Sequence, residues 1–167
     1  MTIKQFLRVV TLNETDEARK VILTVVYGMG LDEADVQAMP LSLVLDLYAT
    51  VAAEIDEASQ APLMTDQRVE FGEIMADVRR MTAGQWADIQ GAIANKDLVE
   101  ANLNTLALLV DDGKPYDGST RLALRDRTDA LPAAVGVAAL SFFDRRMLLS
   151  KATIQLSSMI PQAIGAE

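Results

Sequence analysis

The sequence contains no cysteine and no histidine, and aromatic residues occupy only 5% of its 167 positions. Without those two residue types the chain cannot form a disulfide, a zinc site with nitrogen or sulfur ligands, or a nucleophile activated by histidine. A ferritin-like di-iron site is also excluded, because its Glu-x-x-His ligands cannot be made. We therefore predict no catalytic residue, no cofactor and no metal site, and we expect the chain not to be an enzyme.

Half of the residues are apolar, and Ala, Leu, Val and Met supply most of them. This composition favours helices packed through aliphatic side chains over a β-sandwich. A chain of this length is long enough for one domain with its own core and short for two. We predict a single helical domain over residues 1–167.

The sequence shows neither a signal-peptide pattern nor a membrane span. Lys4 and Arg8 carry charge where a signal peptide needs an apolar run. The most apolar stretch, residues 133–143, is about half the roughly 20 residues that a span needs, and charged residues follow it. We expect a soluble protein without a membrane partner.

Charge is distributed unevenly along the chain, whose net charge is −9. Residues 114–151 contain seven basic and four acidic residues, a net charge of +3, and the remainder has a net charge of −12. Because nucleic-acid affinity comes mainly from neutralised phosphates, we expect no direct sequence-specific nucleic-acid binding. This uneven charge distribution has two interpretations. The charges lie on ordinary solvated helix faces, or the acidic face of one copy associates with the basic face of the next, head to tail, in a ring or filament.

Apolar residues recur at helical spacing along most of the chain, which predicts about seven helices with short connections. Gly28 and Gly30 are predicted to end the second helix. A long final helix is predicted from Pro132 toward Met159. The clearest helix follows Pro40, and its apolar face is predicted to be core: Leu41, Val44, Leu45, Tyr48, Val51, Ala52 and Ile55.

Two segments interrupt the helical pattern. Residues 59–67 are the best linker in the chain and allow a lobe boundary there. Residues 68–72 alternate polar and apolar side chains up to a glycine, which allows one short β-hairpin near residues 68–77. The predicted fold class is therefore all-α, with that hairpin as the single exception.

Arg121 and Arg125 are the charged residues most suited to contact a partner. They are spaced i, i+4 and follow a loop that contains Tyr116, so one helix would place both on the same face. Such a pair could bind a partner's carboxylates or a passing nucleic acid. The alternative is a solvated face on which the two arginines pair with Asp117 and Asp129.

Trp86, Phe142 and Phe143 are aromatic residues in a chain that has few. Trp86 is predicted to share one helix face with Ile89 and Ile93. The two phenylalanines are about 100° apart on a helix, so one can pack inward while the other meets a neighbour. Each of the three is a candidate interaction residue, and the alternative for each is an ordinary core position.

Several short motifs follow one another over about residues 30–143. They are GLDEADVQAMP at 30–40, MTAGQWADI at 81–89, Tyr116 after a short loop, LPAAV at 131–135 and LSFF at 140–143. This ordered series resembles a family of small helical proteins of tailed bacteriophages, which includes tail-assembly chaperones and head–tail structural proteins. Such proteins often have a Gly-Lys-x-Tyr turn where this chain has Phe71-Gly72-Glu73-Ile74.

The resemblance implies a non-enzymatic morphogenesis protein: a virion component near the portal or tail, or an assembly chaperone. Its partners would be copies of itself, or tail or portal proteins, in the virion or the bacterial host cytoplasm. A rival hypothesis is a cellular helical adaptor or regulator that binds one protein partner. An enzyme that relies only on carboxylates and arginines is a more distant third.

Overall fold

The computed structural model describes residues 1–60, 67–75 and 80–141. These ranges are mostly helical and contain three short strands, so the predicted all-α class with a short hairpin is confirmed. The elements are α1 (Ile3–Val10), α2 (Glu17–Met29), α3 (Glu33–Ala38), α4 (Leu41–Ser59), β1 (Gln67–Val69), β2 (Gly72–Ile74), α5 (Ala83–Ile93), α6 (Leu98–Leu108), β3 (Val110–Asp111), α7 (Gly118–Leu122), α8 (Arg125–Asp129) and α9 (133–141).

Local capping explains where several helices begin and end. The Thr2 hydroxyl accepts the backbone N–H of Gln5, while the Gln5 side chain accepts the backbone N–H of Thr2, so α1 begins with a complete capping box. At the starts of α2, α5 and α6, the side chains of Asp16, Thr82 and Asp97 accept backbone N–H groups of the first helical turn. Gly30 ends α2 in the left-handed conformation, as predicted.

The strands form one antiparallel sheet in the order β1-β2-β3. Val69 pairs with Gly72 in the predicted hairpin, and Glu73 of β2 pairs with Asp111 of β3. At Gly72, φ is +149°, and a Cβ there would collide with the backbone carbonyl of Asp111, so the close approach of β3 requires glycine. The third strand was not predicted.

The larger hydrophobic core joins α1, α5, α6, α9 and the sheet, which together with α7 and α8 are called the main body below. Ile3, Ile89, Leu103, Leu106 and Val110 are fully buried in it. The backbone N–H of Ile3 donates to the carbonyl of Leu131 at 2.8 Å, and this bond ties α1 to the start of α9. The two ends of the described chain therefore pack together in one core.

A second, smaller core holds α2, α3 and α4 together, and these helices (residues 17–59) are called the acidic lobe below. Val25, Val36 and Val44 are its buried residues. Between residues 21 and 60 the sequence has seven acidic residues and no basic residue. Helix α4 belongs to both regions, because its far end places Ala58 in the larger core.

The predicted core face of α4 is wrong in part. Val44 and Val51 are buried, but Leu41, Leu45 and Tyr48 are exposed over 71%, 49% and 36% of their surface. The apolar stripe of this helix is wider than the surface that α2 and the small core can cover, so only one side of the stripe is packed. Among the described residues, nothing buries the other side of the stripe.

Candidate interaction surface

Arg121 is buried, so the prediction that its charge is presented on an exposed helix face is wrong. Its side chain is 4% exposed and forms an ion pair with Asp112, while Nη2 lies 3.7 Å from Asp111 Oδ1. The same nitrogen donates to the carbonyl of Lys114 at 3.2 Å. Burial favours the neutral form of Asp112, but the Lys114 N–H and the Arg121 guanidinium hold the pKa of Asp112 below its ordinary value. Arg121 therefore fixes the loop between β3 and α7.

Arg125 also makes its contacts within the chain. Its guanidinium forms two hydrogen bonds with Glu100 on α6, one of them 2.7 Å from Nη2 to Oε1. It also donates to Asn104 Oδ1 at 3.2 Å, and Nε lies 3.6 Å from Asp129 Oδ1. The hydrogen bonds from Arg125 lower the pKa of Glu100. These contacts hold α8 against α6.

The two arginines do not share a helix face, because the helix predicted to carry both is broken. Helix α7 ends at Leu122, residues 123 and 124 form a turn, and α8 starts at Arg125. Of the local partners considered from the sequence, Asp129 does contact Arg125. Asp117 instead caps α7 by accepting the backbone N–H of Ser119 at 3.0 Å.

Tyr116 connects its loop to α5. Its hydroxyl donates to Asp88 Oδ2 at 2.7 Å, and burial together with this bond raises the pKa of Tyr116. Beside this contact, a cleft of about 480 Å³ lies between α5, α6 and α7, with Asp88 and Asp117 on its wall. Both carboxylates already accept hydrogen bonds, Asp88 from Tyr116 and Asp117 from its own helix. Their contacts secure the loop and the start of α7.

The aromatic candidates have different outcomes. Trp86 is exposed on α5, and so is Ile93 seven residues later, whereas Ile89 between them is fully buried. The three residues lie on one side of α5, but only Ile89 is buried there, and the exposure of Trp86 keeps it a candidate contact residue. Phe142 and Phe143 lie outside the described residues.

Leu41, Leu45 and Tyr48 form the exposed apolar feature that sequence reasoning assigned to the core, and they are called the α4 stripe below. Their i, i+4, i+7 spacing places them on one side of the helix, next to the buried side that carries Val44 and Val51. The width of the apolar pattern was the sequence signal that could have revealed this second side. Large apolar side chains exposed together on one face are typical of a contact surface.

The lobe that carries the α4 stripe is also rich in carboxylates. Asp46 and Asp56 are exposed on the same helix, and α3 has exposed Asp35 and half-buried Glu33. Within the described part of the lobe from residue 21 onward there is no cation to neutralise them. The arrangement suits a partner that combines apolar side chains with positive charge.

No group of three or more acidic side chains in residues 1–60, 67–75 or 80–141 is arranged to hold a metal ion.

None of the helices in residues 1–60 or 80–141 has both the length and the apolar character needed to cross a bilayer.

No protein-family model matches the chain, and searches of curated proteins and of solved structures found no similar protein.

Proposed function

We propose that this chain is a non-enzymatic assembly protein that acts through protein–protein contacts, first of all with copies of itself. The observation that carries the proposal is the α4 stripe, three large apolar side chains exposed on a lobe that has seven carboxylates and no cation over residues 21–60. Exposing these side chains to water is unfavourable, so burying the apolar surface that they still expose favours association.

The ion pairs that two arginines form within their own chain support the same proposal. In the main body, Arg121 and Arg125 are paired with carboxylates of their own chain. In the acidic lobe, Glu54 lies 2.7 Å from the ammonium group of Met1, and residues 21–60 contain no lysine or arginine of their own. A basic surface from another molecule, or from a part of the chain outside the described ranges, would complement the remaining carboxylates.

The setting that we propose is the assembly pathway or particle of a tailed bacteriophage. The ordered motifs from residue 30 to residue 143 support it, and small helical proteins that pack through aliphatic faces suit the repeated contacts of a head–tail or tail structure. In this setting the partners are further copies of the chain and a tail or portal protein.

Light scattering coupled to size-exclusion chromatography tests the proposed self-association on the full chain. We expect a mass above that of one chain, rising with protein concentration and falling with added salt, because screening weakens the contribution of the carboxylates. A mass of one chain at every concentration and salt would overturn self-association and favour the single-partner adaptor instead.

A further inference from the structure

We draw no further inference here: the strongest candidate, the cleft of about 480 Å³ between α5, α6 and α7, carries none, because Asp88 and Asp117 on its wall already accept hydrogen bonds from their own chain and nothing else in the described ranges points to a ligand there.

Discussion

The main body and the acidic lobe use charged and apolar side chains in opposite ways. In the main body, Arg121 and Arg125 lie in ion pairs with carboxylates of the same chain, and Ile3, Ile89, Leu103 and Leu106 are fully buried. In the lobe, three valines form the small core, leucines on α4 are exposed, and residues 21–60 contain seven carboxylates and no lysine or arginine. The main body is therefore built for stability, and the lobe presents a surface.

This difference shows that the spacing of arginines or leucines along the chain does not by itself predict whether their side chains are buried or exposed. Arginines at i, i+4 predicted an external contact, and leucines at i, i+3, i+4 predicted a core. The structure places Arg121 inside and Leu41 outside, because each position is decided by what packs against it. Variants in each region can separate the two uses by their effects on stability and on association.

The largest expected effect on stability is in the main body, from Arg121→Ala. This change removes the partner of Asp112 and leaves that carboxylate and the Lys114 carbonyl without their buried donor. Breaking a buried ion pair by removing one partner costs about 3–5 kcal/mol. Urea denaturation measures the free energy of unfolding directly.

Arg127→Ala is the matched control for that variant. Arg127 lies over the ring of Phe71 at 4.6 Å and contacts Glu70, but its side chain is 49% exposed. Its loss should cost about 1 kcal/mol or less. An equal effect of the two substitutions would contradict the structural role given to Arg121.

The next largest effect is expected at the packing of α2 on α4, from Gly28→Ala. A Cβ at Gly28 would lie 2.6 Å from Val51 Cγ1, so the two helices must separate or Val51 must shift. Overpacking of this kind costs about 1–3 kcal/mol. Thermal unfolding followed by circular dichroism should show a lower midpoint for this variant.

Gly91→Ala, at a second helical glycine, is expected to change the stability in the opposite direction. Nothing lies within 4 Å of a Cβ at Gly91, so alanine there should stabilise α5 by roughly 0.5–1 kcal/mol through its higher helix propensity. If Gly28→Ala and Gly91→Ala both destabilised the chain, the effect of helix propensity or of close packing would be wrong at one of the two glycines.

The smallest effect concerns pH and the contact between α6 and α8. The hydrogen bonds from Arg125 lower the pKa of Glu100 in the folded chain below its ordinary value of 4.5. A lowered pKa means that the stabilisation is fully present above pH 4.5 and is lost as the pH falls through the folded pKa. Because Glu100 is partly exposed, the contribution should be about 1 kcal/mol or less.

Comparing Glu100→Gln with the natural chain by urea denaturation at decreasing pH checks this expectation. The variant should be less stable at neutral pH, and the difference should disappear under acid conditions below the pKa of the folded carboxylate. A difference that does not change with pH would show that Glu100 acts through packing rather than charge.

The features that sequence reasoning predicted correctly are local ones. Gly30 ends α2 as predicted, because a residue in the left-handed conformation terminates a helix locally. The predicted hairpin forms with Gly72 at the start of its second strand, and its two strands are only two residues apart in sequence. Each of these signals is decided within one or two turns of chain.

The features that were missed depend on residues far apart in sequence. Strand β3 is only two residues long and becomes a strand because β2, more than 30 residues earlier, pairs with it. The burial of Arg121 requires the loop at Asp111 and Asp112 to fold back over α7. The exposed half of α4 could be suspected from its wide apolar pattern, but which half is covered depends on where α2 packs.

Sedimentation velocity of two leucine variants tests whether the α4 stripe drives association. Leu41→Ser combined with Leu45→Ser changes the α4 stripe, and Leu98→Ser changes an equally exposed leucine, 60% accessible, on α6. Each exposed substitution should alter the free energy of unfolding by only about 0.5 kcal/mol. We predict that the stripe variant stays monomeric at concentrations where the natural chain and Leu98→Ser associate. A stripe variant that associates like the natural chain would contradict the account.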